Sequence, residues 1–201
     1  MSRVSTRQER SPLPLPTLIR HKQMRTRLVF LALLLLTGYA SAEIEKKAHV
    51  GKKGIDLYWW PKFAALKGWS QDEPASEGNG INALAPIGSN FSNAVAVIYG
   101  RACYKPRWSK KTLRAFIESD KRDFQKDSPG QKCTEASPIQ NGNGVKMRSL
   151  EFFPIKKGNW ERVAYLAEGE FWVVFTLSSR TKASYQASLP AFLNLLNHYK
   201  K

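Results

Sequence analysis

The feature that most limits how this chain can fold is residues 171–178, FWVVFTLS, an uncharged run rich in aromatic and β-branched side chains. Side chains alternate between the two faces of a β-strand. One face would hold Phe171, Val173, Phe175 and Leu177, and the other Trp172, Val174, Thr176 and Ser178. A strand that is apolar on both faces has to be covered on both faces. We therefore predict a central strand of a sheet, with a buried helix as the alternative.

The rest of the chain predicts further strands that can join this one. Residues 162–166 indicate a strand, and residues 167–170 supply a turn that contains Gly169. Further strands are predicted at residues 55–60, 81–86, 94–104 and 145–153. Within residues 94–104, Gly100 indicates either a bulge or a close approach of another segment to the backbone.

Two segments have the apolar spacing of amphipathic helices. Ser109 is the predicted cap of a helix over residues 110–126, and a second helix follows Thr181. We expect Pro190 to kink that second helix or to begin a new segment of it. Residues 43–54 are predicted to be a mobile lead-in, and residues 71–80 and 134–144 to be loops. This order of elements predicts an α+β domain, an antiparallel β-sheet covered by helices.

The N-terminal part has the features of a secretory signal peptide. Residues 28–36, LVFLALLLL, follow a basic stretch with Arg20, Lys22, Arg25 and Arg27, and Ala40, Ser41 and Ala42 match a cleavage site. The apolar stretch is short for a membrane span. We therefore predict residues 1–42 as a signal peptide, with Met24 as an alternative start, and residues 43–201 as a single periplasmic or secreted domain.

Removal of this segment changes the charge of the protein. The whole chain has 32 Lys/Arg and 16 Asp/Glu, and residues 1–42 contain seven and one of these. The remaining 159 residues thus carry a formal charge of +10. Such a domain is attracted to anionic envelope components, although a solvated basic surface explains the charge equally simply. We expect no specific binding of nucleic acid, because the residues suggest no dense basic cluster with interleaved aromatic side chains.

Both cysteines, Cys103 and Cys133, lie in the predicted exported domain. Two cysteines in an exported chain most simply form one disulfide. Closing a loop of about 30 residues would stabilise the fold by about 3–4 kcal/mol. The two cysteines and the distant His49 and His198 offer too few ligands for a metal site, so we expect no metal and no cofactor.

Three tryptophans and two arginines are candidates for a binding surface. Trp59, Trp60 and Trp69 lie within about a dozen residues of each other. Arg101 and Arg107 follow further along the chain and contribute to its positive charge. Exposed tryptophans could stack against a ligand, whereas buried ones would pack against the sheet. Asp120 is a further candidate, because it falls on the apolar face of the first predicted helix. A carboxylate at such a position is either an acid of a binding or catalytic site or an anchor for a neighbouring segment.

The sequence resembles the PsbP-like fold of the lumenal extrinsic subunit of photosystem II and its bacterial relatives. The similar segments are GWSQD at 68–72, AVAVIYGRACY at 94–104, LRAFIESDKRDF at 113–124 and ERVAYLAEGEFWVVFTLSS at 161–179, followed by FLNLLNHY at 192–199. They cover most of residues 55–199. The resemblance implies a helix-covered sheet and, as in most of that family, docking or assembly without enzymatic activity; it assigns no site residues.

These observations favour an exported, non-enzymatic binding or assembly-accessory domain whose partner is a protein or an anionic envelope component. No sequence pattern indicates a nucleophile with its base, a metal-binding helix or a phosphate-binding loop. Two alternatives remain open at this point. One is an envelope hydrolase that uses Asp120, and the other is a structural envelope protein without a discrete ligand.

Overall fold

The computed structural model describes residues 44–51, 54–155 and 158–200, so the predicted signal peptide lies outside the described residues. Nine strands are described: β1 Ile44–Gly51, β2 Gly54–Pro61, β3 Trp69–Gln71, β4 Asn82–Pro86, β5 Ala96–Tyr104, β6 Gln131–Gln140, β7 Lys146–Pro154, β8 Trp160–Glu168 and β9 Phe171–Ser179. The described helices are α1 Glu73–Asn79, α2 Leu113–Asp127 and α3 Lys182–His198, with a turn of 3-10 helix at Lys105–Arg107. None of the described helices is long and apolar enough to cross a membrane.

Strand β9 is the middle strand of a seven-stranded antiparallel sheet. The order of strands is β3-β4-β5-β9-β8-β7-β6. β9 pairs with β8 through a tight turn at Gly169 and Glu170, and with β5 on its other side. The predicted central strand and its hairpin are thus confirmed, although β8 extends to Glu168 and leaves only two residues for the turn.

The two faces of β9 are covered by different helices. Val173, Phe175 and Leu177 pack in one core with residues of α3, among them Phe192 and Leu196. Trp172 and Val174 pack in a second core with Phe116 and Ile117 of α2. The sheet therefore lies between α2 and α3, and the predicted α+β sandwich is confirmed.

Each long helix begins at a threonine whose hydroxyl oxygen accepts a backbone hydrogen bond. Thr112 caps α2 and Thr181 caps α3, with bonds of 3.2 Å from Ala115 N and 3.1 Å from Ser184 N. The predicted cap Ser109 is wrong, because α2 begins only where its apolar stripe begins, at Leu113. Helix α3 continues through Pro190, which is exposed to solvent.

Three segments predicted as lead-in or loops are regular structure. Residues 44–51 form β1, which pairs with β2 from Ile44↔Pro61 to Gly51↔Gly54. Residues 131–140 form β6, an edge strand paired with β7, with a bulge between Ala136 and Ile139. Residues 73–79 form α1, capped by Asp72 and ended by Gly80 in the left-handed conformation. Strands β1 and β6 are each stabilised by pairing with the next strand in a hairpin, a contribution that the propensity of the segment alone does not show.

Gly100 allows the β1–β2 hairpin to approach the sheet. A Cβ at this position would lie 2.5 Å from Pro61 Cγ and 2.8 Å from Phe63 Cζ. Strand β5 keeps a continuous register with β9 through Gly100, so there is no bulge here. The close approach that the sequence indicated is therefore the correct alternative. The amide of Asn82 fixes the same junction through a 2.9 Å bond to the carbonyl of Pro61.

The predicted disulfide is wrong for this structure. Cys103 is on β5 and Cys133 is on β6, and three strands lie between them. Strands about 4.8 Å apart separate these two by at least about 19 Å across the sheet, whereas a disulfide needs Cα atoms within about 7 Å. Both thiols are free, with Cys103 buried and Cys133 half-buried beside α2. Burial raises the pKa of both thiols.

We expect Gly100→Ala to lower the free energy of unfolding by about 1–3 kcal/mol, because the new methyl group overpacks the contact with Pro61 and Phe63. Gly78→Ala is the matched control, since a Cβ there meets no atom within 4 Å. Urea unfolding followed by far-UV circular dichroism measures both variants. Equal stabilities of the two would contradict the close packing at Gly100.

The cysteines should both react as free thiols. Alkylation of the unfolded chain without reductant, followed by intact mass measurement, should add two labels. In the native protein Cys133 should react faster than Cys103, because its side chain is less buried. An unlabelled chain that gains two labels only after reduction would show a disulfide and a different strand arrangement.

Candidate functional site

One face of the β1–β2 hairpin is apolar apart from Lys46. The register pairs Lys46 with Trp59, Ala48 with Leu57 and Val50 with Ile55. Paired residues share a face in an antiparallel sheet. Near its base this face packs on the core through Trp59, whereas at its end Val50, Ile55 and Leu57 are 79%, 69% and 38% exposed. The apolar hairpin face, defined as Ala48, Val50, Ile55, Leu57 and Trp59, thus continues beyond the core that covers its base.

Trp59 joins this face to a basic segment. Its ring stacks on Tyr104 at 5.6 Å and lies 6.1 Å from the ring of Phe171. The guanidinium of Arg107 lies over the indole at 4.7 Å, and the ammonium of Lys46 lies at 5.9 Å. A cation over an aromatic face is held by the charge distribution of the ring. Two predicted binding residues, Trp59 and Arg107, are therefore brought together.

Arg107 belongs to a short basic turn, residues 105–111, KPRWSKK. Its lysines Lys105, Lys110 and Lys111 line a cleft of about 460 Å³ together with Trp172 and Glu170. The ammonium of Lys105 lies 4.2 Å from the ring centre of Trp172 and donates to the carbonyl of Gly169. The four cations around Trp108 form a basic cluster with an aromatic residue inside it. This cluster was not recognised from the sequence, and the expectation of no specific nucleic-acid binding stays a prediction.

The other predicted tryptophans do not join this surface. Trp60 points to the opposite face of the hairpin and is buried, with the ammonium of Lys47 at 5.7 Å from its ring centre. Trp69, on β3, is half-buried and packs against the core. All three tryptophans therefore pack in the fold, and of the three only Trp59 joins the apolar hairpin face to Arg107.

Arg101 and Asp120 form an ion pair on the other face of the sheet. Asp120 is buried, and the Arg101 guanidinium donates to its Oδ1. The Tyr165 hydroxyl donates to its Oδ2 at 3.0 Å. Burial raises the pKa of Asp120, and Arg101 and Tyr165 counteract part of that rise. These bonds attach α2 to β5 and β8, which favours Asp120 as an anchor of the helix.

A second buried carboxyl group, Glu161 on β8, was missed by sequence reasoning. It accepts a 2.8 Å hydrogen bond from the Ser178 hydroxyl, which in turn accepts one from the Asn159 amide at 3.0 Å. Burial raises the pKa of Glu161 to about 7, Ser178 counteracts the rise, and the charge of Asp120 adds to it. Glu161 precedes a run of strand residues, and no local signal showed which face it would occupy.

Within the described part of the chain, no group of three or more His, Cys, Asp or Glu side chains is arranged to hold a metal ion. His49 lies on β1 beside Glu77, and His198 is exposed at the end of α3, where its Nδ1 is 2.8 Å from the carbonyl oxygen of Asn194.

Comparison with known proteins places the chain only by its fold. No family model matches the sequence, and no curated protein matches it. The crystal structure of PA94 from Pseudomonas aeruginosa, a protein of unknown function with a suggested regulatory role, is similar with a TM-score of 0.46 and 12% identity. The match covers 78% of this chain and 97% of that chain.

The chain is also similar to cyanobacterial PsbP (CyanoP) from Synechocystis sp. PCC 6803. The TM-score with that solution structure is 0.39 at 13% identity, over 79% of this chain and 92% of that chain. The resemblance to a PsbP-like fold is thus confirmed as a weak likeness of architecture. Since both TM-scores are below 0.5, neither likeness carries an argument about function.

Glu161→Gln should raise the free energy of unfolding, and the gain should depend on pH. The folded-state pKa of about 7 lies above the ordinary value of 4.5, so the folded protein holds the extra proton between these values. The contribution of protonated Glu161 to the free energy of unfolding is therefore lost as the pH rises from about 4.5 to about 7. At pH 8 the variant should be more stable than the parent by up to about 3 kcal/mol, and at pH 4 nearly equal to it.

Urea unfolding across this pH range measures the difference between the variant and the parent. Glu170→Gln, in the exposed β8–β9 turn, is the control and should show no such pH-dependent gain. A constant difference between Glu161→Gln and the parent from pH 4 to pH 8 would mean that Glu161 is not the group that titrates near neutrality.

Proposed function

We propose that this chain is an exported, non-enzymatic binding or assembly-accessory domain that docks on an anionic membrane surface. The observation that carries the proposal is the apolar hairpin face, which extends past the core and meets the cations of residues 105–111 at the Arg107–Trp59 stack. Exposed β-branched side chains beside several cations are the combination that binds an anionic bilayer at its interface.

The electrostatic part of the attraction comes from the basic turn. Lys105, Arg107, Lys110 and Lys111 lie in seven consecutive residues, and Lys46 lies beside Trp59 on the hairpin. A basic residue near an anionic leaflet contributes about 1 kcal/mol, so several together give useful binding even after screening by salt. Such cations also attract the acidic surface of a protein, but they do not explain the apolar end of the hairpin.

The apolar part comes from Val50, Ile55 and Leu57. Large exposed apolar side chains that share one face mark a contact surface when they are contiguous. Burying one such side chain in a bilayer contributes about 1.5–3 kcal/mol. Since these side chains end a two-stranded hairpin, they can enter the headgroup region without rearrangement of the seven-stranded sheet.

Export is supported by the signal peptide features and by the position of the first strand. Cleavage after Ala42 would leave β1, which begins at Ile44, intact. The basic surface would then face the envelope, where anionic lipids are available. The bonds of both Asp120 oxygens to Arg101 and Tyr165 support a non-enzymatic role over the alternative of a hydrolase that uses this acid.

The test is binding to lipid vesicles by the protein purified from the periplasm after expression of the whole precursor. We expect binding to phosphatidylglycerol vesicles and little binding to phosphatidylcholine vesicles. Ile55→Asp should weaken the partition coefficient about tenfold or more, because it removes an inserted side chain and adds a negative charge. Ile87→Asp is the matched control, since Ile87 is 71% exposed but lies on the β4–β5 connection, away from the hairpin.

Equal losses for Ile55→Asp and Ile87→Asp would reduce the binding to a general effect of charge. Equal binding to both kinds of vesicle would contradict the role of the basic turn. If the protein binds neither kind of vesicle but captures an acidic protein, and this capture depends on Arg107 and not on Ile55, then the partner is a protein and not a membrane. Failure to recover the protein from the periplasm would contradict export itself.

A further inference from the structure

Helix α2 covers only part of its face of the sheet. The uncovered strip lies between α2 and the β4–β5 connection, residues 87–95, which packs on the same face through Phe91 and Ala94. Two adjoining cavities of about 290 Å³ and 300 Å³ occupy the strip, and Tyr99 lines both of them. We call this strip the α2 groove. Volumes near 300 Å³ are at the lower end of the range for pockets that bind small molecules.

The charge of the α2 groove is opposite to that of the protein. Its lining includes four carboxyl groups, Asp120, Asp123, Asp127 and Glu161, and two guanidinium groups, Arg101 and Arg180. Arg101 is engaged by Asp120, and Arg180 donates to the carbonyl of Ser92. The whole chain carries a formal charge of +16, so an acidic groove in it is a local feature and not the average surface.

Glu161 is the buried carboxyl group of this groove that makes no ion pair among the described residues. It is 8% exposed and its Oε1 accepts from Ser178, whereas Oε2 has no hydrogen-bond partner among the described residues. Arg180 lines the same cavity but donates to the Ser92 carbonyl, and neither it nor Arg101 makes an ion pair with Glu161 among residues 44–51, 54–155 and 158–200. A buried carboxylate needs a positive partner or a proton. A ligand that brings a positive charge would supply that missing partner.

The walls of the groove suit the apolar part of such a ligand. Phe91 and Tyr99 meet edge to face with ring centres 5.8 Å apart beside Glu161, and Trp108 and Phe124 line the neighbouring cavity. Aromatic faces attract cations, and this attraction grows when water is excluded. An anion would instead meet Glu161 in one cavity and three further carboxyl groups in the neighbouring one, and a neutral polar molecule would leave Glu161 without its counter-charge.

We propose that the α2 groove is a binding site for a small organic cation, an alkylammonium or guanidinium group, with the Glu161 carboxylate as its ionic partner and Phe91 and Tyr99 as its walls. Ser178 and Asn159 hold the carboxylate in place through the hydrogen bonds described above. The site lies on the face of the sheet opposite to the Trp59 stack and does not depend on the proposed membrane docking.

The proposal makes binding depend on pH in a defined direction. The cation binds the ionised form of Glu161, so binding must release the proton that Glu161 holds below its pKa of about 7. Affinity should rise about tenfold per pH unit below that value and level off above it. The other charged groups of the groove are Asp120, held by Arg101 and Tyr165, Asp123 and Asp127 on α2, and Arg180, held by Ser92.

The experiment is calorimetric titration of the purified, untruncated protein with n-butylamine, and with n-butanol as the uncharged probe of the same shape. At pH 8 we expect binding of the amine and none of the alcohol. Glu161→Gln should weaken amine binding at least about tenfold, because Gln keeps the hydrogen bond to Ser178 but carries no charge. Glu170→Gln, in the exposed turn, should leave amine binding unchanged.

Each of the contrary results would overturn the proposal. Equal binding of the amine and the alcohol would show an apolar cavity without an ionic partner. Unchanged amine affinity in Glu161→Gln, with the variant folded by circular dichroism, would remove the assigned carboxylate. Absence of amine binding at millimolar concentration and pH 8 would show that the groove is not a cation site. The Glu161→Gln variant should still bind phosphatidylglycerol vesicles as strongly as the parent. A failure of the cation site can therefore be distinguished from a failure of the membrane proposal.

Discussion

Strand β9 can be buried on both faces only if two helices and two neighbouring strands surround it, and the rest of the domain meets this requirement. Val173, Phe175 and Leu177 need α3, and Trp172 and Val174 need α2. Strands β5 and β8 satisfy its backbone groups on both sides, since a buried N–H or C=O without a partner is costly. The position of β9 in the middle of the sheet follows from this double burial.

The residues of β9 also determine where the coverage of the sheet by α2 ends. Toward its C-terminal end the face under α2 changes from Trp172 and Val174 to Thr176 and Ser178, which offer hydroxyl groups in place of apolar area. The pairing Glu161↔Ser178 places a carboxyl group beside these hydroxyl groups. A helix gains little by covering polar side chains, and the α2 groove lies at this polar end. The ion pair of Asp120 with Arg101 marks the border between the apolar core and the groove.

The β1–β2 hairpin, in contrast to the acidic α2 groove, carries exposed apolar side chains next to cations. Its base is tied down by Pro61, Phe63 and Trp59, which pack on Gly100, Phe175 and Tyr104. Its end carries Val50 and Ile55 into solvent, next to a basic turn that begins where β5 ends. The domain therefore has a basic, apolar surface at the hairpin and the basic turn, and an acidic, aromatic groove beside α2. One surface suits an anionic partner, and the other suits a small cation.

The sequence by itself determined the central strand, the helices on both sides of the sheet and the odd position of Asp120, because alternation and helical spacing are local patterns that burial imposes directly. The tertiary structure decided which distant residues meet. It turned residues 44–51 and 131–140 into strands, kept Cys103 and Cys133 apart by three strands, joined Arg107 to Trp59 and left Glu161 beside Ser178 without a counter-cation. These outcomes depend on strand order and register, which are set when separate segments pair with each other and cannot be predicted from any single segment.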